Sequence, residues 1–298
     1  MTTSITTSGN TTWTVLSLLH WSSGFLSEKG FDSPRLTSEL LLSRVLGCRR
    51  IELYTNFDKP LSPDELAGFK SRFKRRLEHE PLQYILGDCE FMGLRFSVDR
   101  RALIPRPETE VLVEYVVKMV KGSSRPPGKI LDVGTGSGNI AISLAKFLPN
   151  ASVDAIDASA EALELAEINL HRHRLEPQVR LMHCDFLNAY PALPRQSYHI
   201  IVSNPPYISE REFALLPPEI RVFEPRMATT DGGDGLTFYR AIAAEGKELL
   251  SRGGSVIVEM AYGQSASVRE IFEEAGYRDL ETVADYSGIE RVVKAQWK

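Results

Sequence analysis

Cysteine is scarce in this chain of 298 residues: Cys48, Cys89 and Cys184 lie far apart, with no C-x-x-C pair and no histidine at ligand spacing, although His183 adjoins Cys184. A disulfide framework, a cysteine-based metal site and a dithiol redox centre are therefore not expected, and no metal is. The three thiols read as small core or surface residues in a reducing compartment. No apolar run approaches the roughly 20 residues that cross a bilayer as a helix, so no membrane partner is expected. The first dozen residues are rich in Thr and Ser and contain no Lys or Arg; they resemble neither a secretory signal nor a transit peptide, and residues 1–11 read as a flexible tail. A cytoplasmic protein is expected. Positive charge is not in excess either: 35 Lys and Arg stand against 39 Asp and Glu, for a net charge of −4 and a pI near 5.9. Stable binding to a long stretch of nucleic acid is not expected, although local basic patches remain open. No internal repeat is visible.

What is present is ordinary globular material, 43% hydrophobic and 25% charged, with length enough for two domains that each bury a core. Residues 12–86 read as a small helical domain. Ser33-Pro34 and Ser62-Pro63-Asp64-Glu65 look like helix starts, the latter a capping box with proline in the first turn. After the second start Leu66, Phe69, Phe73 and Leu77 recur at helical spacing, with Lys70, Arg72, Lys74, Arg75 and Arg76 between them. That basic set reads as a solvated face or as a contact for RNA or an acidic partner. Residues 87–107 read as a connector carrying a β-hairpin within Glu90–Val98. Ile104-Pro105-Arg106-Pro107-Glu108-Thr109-Glu110 leads into a helix running through Val120. Its two prolines hold Arg106 on an extended arm that can present the guanidinium to a cleft, or simply prepare the helix. Residues 122–128 read as a loop.

From there strand and helix alternate, with strands expected at Lys129–Val133, Ser152–Ile156, Val179–His183, His199–Ser203 and Ser255–Met260, and helices starting near Gly138, Ala158, Gly235 and Gln264. Such alternation predicts an α/β fold, a mostly parallel sheet with helices on both faces. Two further strands between Tyr277 and Val293, joined by Asp285-Tyr286-Ser287-Gly288, supply an antiparallel edge strand.

Groups able to bind a ligand gather where these strands end. Gly134-Thr135-Gly136-Ser137-Gly138 follows the first strand; its glycines let backbone approach a ligand, and the helix behind it offers free N–H groups. A dinucleotide fingerprint G-x-G-x-x-G needs its third glycine one residue later, where Asn139 stands. The spacing fits S-adenosylmethionine better, or a purely structural turn. Asp157, about 20 residues further on, is placed to accept ribose hydroxyls. Asp185-Phe186 pairs an acceptor with a ring, suited to an adenine amino group and its face. Ile200-Ile201-Val202-Ser203 is a buried strand that stops at Asn204-Pro205-Pro206-Tyr207. There the Asn204 amide oxygen and a peptide carbonyl held by the prolines offer two acceptors, and Tyr207 a flat ring, for a planar NH2 group. A proline-rich turn is the plainer reading of the same tetrapeptide.

Taken together, the glycine turn, Asp157, Asp185-Phe186 and the Asn-Pro-Pro-Tyr stretch resemble the motifs of class I S-adenosylmethionine-dependent methyltransferases acting on planar NH2 groups. Pro81-Leu82-Gln83-Tyr84-Ile85-Leu86-Gly87, the Ile104–Glu110 arm, Phe223-Glu224-Pro225 and Asp234-Gly235-Leu236 narrow the likeness to the peptide chain release factor glutamine N5-methyltransferase (PrmC, or HemK) family. Ala261 after Glu259 departs from the family's usual glycine. The resemblance implies a Rossmann-like methyltransferase domain over 108–298, a substrate-recognising helical domain over 12–86, and S-adenosylmethionine as cofactor. It implies methyl transfer to the glutamine of a Gly-Gly-Gln loop in release factors. Gly134, Thr135, Gly136, Ser137, Gly138, Asp157, Asp185, Phe186 and Asn204 would then hold the cofactor. Asn204, Pro205, Pro206 and Tyr207 would form the catalytic slot, with Arg106 beside the substrate. Two rivals fit parts of the pattern. An adenine-N6 nucleic-acid methyltransferase suits the slot but lacks a basic recognition domain; an NAD-dependent oxidoreductase is opposed by Asn139 and by the lack of a hydride-site acid. A nucleotide-binding scaffold leaves the slot without a use.

Overall fold

The computed structural model describes residues 12–123, 128–188 and 193–298. The expected tail at 1–11 and part of the expected loop at 122–128 lie outside the described residues. The chain divides into two compact units, Met1–Leu86 and Gly87–Lys298.

The first unit is helical: α1 Val15–Glu28, α2 Pro34–Leu46, α3 Arg50–Thr55, α4 Pro63–Leu77 and α5 Leu82–Leu86. Its core joins Leu18, Leu19 and Leu26 of α1 to Leu41 and Leu42 of α2 and to Phe69 and Phe73 of α4. Each such side chain contributes about 1.5–3 kcal/mol by leaving water. Ser62 and Glu65 form the reciprocal capping box that starts α4. Ser33 does not cap α2: it has φ +48°, and in that left-handed conformation its hydroxyl makes no cap bond, leaving Pro34 to start the helix. The basic residues of α4 are not a uniform solvated face. Arg76 is buried with its guanidinium 4.6 Å from the centre of the Phe31 ring, and Arg75 makes two 2.7 Å bonds to the Glu80 carboxylate.

The second unit opens with a hairpin, β1 Asp88–Phe91 and β2 Leu94–Ser97. Its turn residues Met92 and Gly93 both have positive φ, +53° and +70°, as a two-residue hairpin loop requires. Phe91 and Phe96 sink into the same core as the sheet that follows. Next come α6 Pro107–Lys121, β3 Lys129–Val133, α7 Asn139–Phe147, β4 Ser152–Asp157, α8 Ala160–His173, β5 Val179–His183 and β6 Tyr198–Ser203. Three short helices, α9 Glu210–Phe213, α10 Pro218–Phe223 and α11 Arg226–Thr229, separate β6 from α12 Thr237–Leu249, β7 Leu250–Glu259, α13 Ser265–Glu274, β8 Arg278–Ala284 and β9 Glu290–Gln296.

The seven strands lie in the order β5-β4-β3-β6-β7-β9-β8. The first five are parallel, and β9 pairs antiparallel with both β7 and β8, so the C-terminal hairpin closes one edge. Alternate residues serve opposite faces: Ile130, Val153 and Ile200 pack under α6 and α7, while Leu131, Ile201 and Val256 pack under α12 and α13. Burial on both faces is why these strands read as β-branched runs without alternation. β7 begins earlier than expected, at Leu250, because the Gly253-Gly254 backbone exchanges hydrogen bonds with Trp297 and thereby stays in the sheet. The chain runs outward from β3 through β4 to β5 and returns to place β6 on the other side. Crevices form at such a switch point, at the carboxyl ends of the strands.

Candidate active site

The glycine turn after β3 is held from within. Gly134, Gly136 and Gly138 have φ of +75°, +55° and +81°, values that side-chain-bearing residues rarely adopt. The amides of Gly134 and Thr135 both donate to the Ile156 carbonyl at 2.9 Å, joining the turn to β4. Asp132, fully buried, accepts from the Thr135 hydroxyl at 2.7 Å and from the Ala141 amide at 3.2 Å, which staples the turn to the first turn of α7. Burial pushes its carboxyl up to about 7. A Cβ on Gly134 would meet nothing within 4 Å, so the turn leaves open space there. One on Gly138 would sit 2.9 Å from Ile142 Cδ1 and 3.3 Å from Ala166 Cβ. Gly138 thus serves helix packing and is not part of the cleft wall.

That wall surrounds about 960 Å3, open mouth included, and contains Gly134–Ser137, Asp157, Asp185, Phe186, Asn204, Pro206 and Arg106. The size suits a nucleoside-sized ligand. Asp157 receives the Gly136 amide on Oδ2 at 2.8 Å and the Ser159 amide on Oδ1 at 2.9 Å. Burial raises its carboxyl's affinity for protons, and these amide bonds oppose that. Each oxygen keeps a lone pair for a hydroxyl. Asp185 is less free than its sequence position implies: it accepts from the Leu187 amide and the Asn188 side chain. The open space at Gly134, the remaining acceptors of Asp157 and the aromatic wall at Phe186 together fit S-adenosylmethionine.

A smaller cavity of about 460 Å3 adjoins the first, sharing Leu103, Arg106, Asn204, Pro206 and Ala228 with it. Pro205 and Tyr207 face only this second space. The Ser203 hydroxyl donates to the Val133 carbonyl at 2.7 Å, tying the ends of β6 and β3 together. Asn204 donates its side-chain N–H to Thr109 Oγ1 at 3.0 Å. Glu259 at the end of β7 has a buried carboxyl that desolvation pushes up to about 7. The Tyr207 hydroxyl lies 3.4 Å from Glu259 Oε1, and Gln264 donates to the Tyr207 carbonyl at 2.9 Å. Gly235 supports the same peptide: its φ is +82°, and a Cβ there would fall 2.4 Å from the Tyr207 carbonyl oxygen.

Arg106 lines both cavities, but its guanidinium is not free. It makes a 2.6 Å ion pair with Glu224, whose carboxylate is almost wholly buried, so a buried charge demands the arginine as partner. The Arg106 arm and the Phe223-Glu224-Pro225 stretch are therefore two halves of one clamp. Sequence reasoning gave no role to Thr109, Glu224, Glu259 or Asp132, although Thr109 and Glu224 stand in the quoted stretches. Glu259 carried a usable signal: it is a charged residue closing the buried run Val256-Ile257-Val258, a fifth strand end with a polar group.

Comparison with known proteins gives the family. Residues 17–87 match a family profile described as the PrmC N-terminal domain, and residues 107–216 one described as the methyltransferase small domain. The chain is similar to a release factor glutamine methyltransferase from Geobacter sulfurreducens, 44% identical over 94% of this chain and 96% of the relative. Another from Rhodopirellula baltica is 40% identical over 97% and 98%. Among solved structures, a methyltransferase from Pyrococcus furiosus covers 76% of this chain and 98% of its own at 18% identity, with a TM-score of 0.50, a likeness of fold alone. With identity at this level over nearly its whole length, the chain belongs to the release factor glutamine methyltransferase family.

Proposed function

We propose that this protein transfers the methyl group of S-adenosylmethionine to the side-chain amide nitrogen of the glutamine in the Gly-Gly-Gln loop of peptide chain release factors. The observation that carries the reading is the pair of adjoining cavities with Asn204 and Pro206 in the wall they share. When bound, the cofactor supplies an electrophilic methyl on a sulfonium. The larger cleft holds it through the Gly134–Ser137 turn, Asp157, Asp185 and Phe186; the smaller cavity takes the glutamine side chain.

An amide nitrogen is a weak nucleophile because its lone pair is delocalised into the carbonyl, so the chain contributes chiefly by position and by charge. Asn204, its N–H spent on Thr109, directs its carbonyl oxygen to the substrate. That oxygen and the Pro205 carbonyl accept the two amide protons, orient the nitrogen and stabilise the positive charge that builds on it. The additional proton is strongly acidic and leaves to water without a dedicated base. Tyr207 closes the substrate side, and Arg106, locked by Glu224, holds the wall between the cavities. Residues 12–86 recognise the folded release factor; their Leu36 and Tyr54, exposed beside Arg35 and Arg50, which both pair with Glu39, offer an apolar surface rimmed by charge. The reaction belongs to the cytoplasm, where such substrates act.

Methyl-labelled S-adenosylmethionine offered together with a release factor, an oligonucleotide and tRNA tests this. Label is expected on the release-factor glutamine, and a Gln→Asn substrate, withdrawn by one methylene, is expected to react about 10²-fold more slowly. Label on N6 of adenine with the release factor untouched would establish the nucleic-acid rival instead. Against that rival stands the net charge of −4, which does little to attract a phosphate backbone.

A further inference from the structure

We propose that Gln264 is a positioning residue for the methyl transfer: its side-chain amide holds the Tyr207 carbonyl and so fixes the peptide that follows the Asn204-Pro205-Pro206 acceptors. The inference rests on the methyl-transfer reading and deepens it. Pro205 and Pro206 have no freedom in φ, so Tyr207 is the first residue after them whose backbone can turn about that bond. Tyr207 and Ile208 both line the smaller cavity, and a turn of the peptide between them would change its wall. From the turn between β7 and α13, Gln264 Nε2 donates to the Tyr207 carbonyl at 2.9 Å.

The Gln264 amide has one favourable orientation. Its Oε1 accepts from the Ala261 amide at 3.1 Å, while the Gln264 backbone amide donates to the Ala261 carbonyl at 3.2 Å, which closes the turn in both directions. The Tyr239 hydroxyl, fully buried, lies 3.5 Å from the same Oε1 and donates to the Glu259 carbonyl at 2.8 Å. Flipped, the amide would set its oxygen against the Tyr207 carbonyl and its NH2 against the Ala261 N–H, two repulsions in place of two bonds. Gly235 closes the other side. It is buried with φ +82°, and a Cβ on it would overlap the Tyr207 carbonyl oxygen and come within 3.1 Å of Gln264 Nε2. Asp231 holds that backbone, accepting from the amides of Gly233 at 2.8 Å and of Gly235 and Thr237 at 3.0 Å. The Asp234-Gly235-Leu236 stretch and Gln264 therefore act on one carbonyl from two sides.

Two substitutions separate the hold on Tyr207 from support of the turn. Gln264→Glu keeps the length and the oxygen that accepts from Ala261 but, ionised, has no proton to give Tyr207; Gln264→Met keeps the length alone. In Gln264→Glu, kcat is expected to fall about 10-fold or more, with S-adenosylmethionine affinity and the KM for release factor near the parent's. Its kcat should be no higher than that of Gln264→Met, although Gln264→Glu is expected to be the more heat-stable of the two. Support of the turn alone would reverse that order of activity. A second readout needs neither cofactor nor substrate. Isotope labelling of tyrosine carbonyls and isoleucine amides selects Tyr84-Ile85 and Tyr207-Ile208, and the second signal is identified by its loss in Tyr207→Phe. In both Gln264 variants the Tyr207 carbonyl resonance should move upfield as its hydrogen bond is lost. A resonance that stays in place would overturn the proposal, as would a Gln264→Glu enzyme with parental kcat or one faster than Gln264→Met. If the parent leaves release factor unmethylated while the resonance moves as stated, the methyl-transfer reading fails and the hold of Gln264 on Tyr207 stands.

Discussion

The exits of β3 and β6 lie side by side and are built by opposite means. The β3 exit is local: its glycines bend the backbone, and Asp132, Thr135 and Ala141, within ten residues of one another, hold the bend. The β6 exit is stiffened by two prolines and then fixed from a distance. Its supports are Thr109, which is 95 residues away from Asn204, and Gln264, which is 57 residues from Tyr207. Glu259 and Gly235 add further remote contacts. A cofactor with many recognisable groups can be held by a generic turn and a few acceptors. A single amide nitrogen must be held by side chains whose donors and acceptors are each assigned, and such assignments need partners from several elements. Damage to the two exits should therefore separate kinetically.

The largest separation is expected from Asn204→Ala. It removes a substrate acceptor that matters most as charge develops, so kcat should fall about 10²–10³-fold. Isothermal titration should find S-adenosylmethionine binding nearly unchanged, since the glycine turn and Asp157 remain. Parental turnover in the variant would take Asn204 out of the mechanism.

Gly235→Ala comes next and reaches the β6 exit through packing. A methyl 2.4 Å from the Tyr207 carbonyl oxygen, on backbone at φ +82°, forces the peptide that Gln264 holds. A destabilisation of about 1–3 kcal/mol is expected from overpacking, together with a kcat loss that exceeds any loss of cofactor affinity. Denaturant unfolding and the same titration decide this. Unchanged stability would mean that the loop yields freely and that the Asp234-Gly235-Leu236 stretch does not support the slot.

The same contrast governs what was legible in the residues. The strand–turn–helix at 129–147, Asp157 and the hairpin at 278–296 could be read because periodicity and turn chemistry are local. The tetrapeptide at 204–207 could be noticed for the same reason, and its chemistry inferred. Its supports could not: nothing near Thr109 says that its hydroxyl oxygen meets Asn204, and nothing near Arg106 says that its partner is Glu224, 118 residues away. Gly138 was legible as a helix start, whereas its packing role depends on Ala166 of α8. Ser33 shows the converse error, a correct boundary with the wrong agent, because its backbone conformation rather than its residue type decides whether it caps.

A smaller effect is expected from Asp157→Ala, confined to the β3 side. It strips acceptors from ribose hydroxyls at about 1 kcal/mol each, so the cofactor dissociation constant should rise by about 5- to 30-fold. Turnover at saturating cofactor should stay near the parent's. The amides of Gly136 and Ser159 also lose their acceptor, so Asp157→Asn, which keeps one oxygen, should fall between the two. Equal affinity in parent and Asp157→Ala would remove the β4 exit from the cofactor site.

The smallest expected effect on methyl transfer belongs to Asp132, whose signature is the pH dependence of stability, and it isolates the local exit from the distant one. Asp132 has an ordinary carboxyl value of 3.8, and burial raises it to about 7 in the folded protein. Between these values the folded state holds a proton that the unfolded state has released. The favourable contribution of that proton is complete below about pH 4 and drains away as the pH rises to about 7, after which it is constant. Glu259 shows the same direction, so the parent's melting curve alone mixes the two exits. The difference between parent and Asp132→Asn does not. The substitution leaves an oxygen to accept from Thr135 and Ala141, and whatever fixed offset it introduces is the same at every pH. The melting temperature of the parent relative to Asp132→Asn should therefore decline from pH 4 to 7 and then level off. If the two curves run parallel throughout, Asp132 stays ionised in the folded chain, and the bonds from Thr135 and Ala141 outweigh its burial.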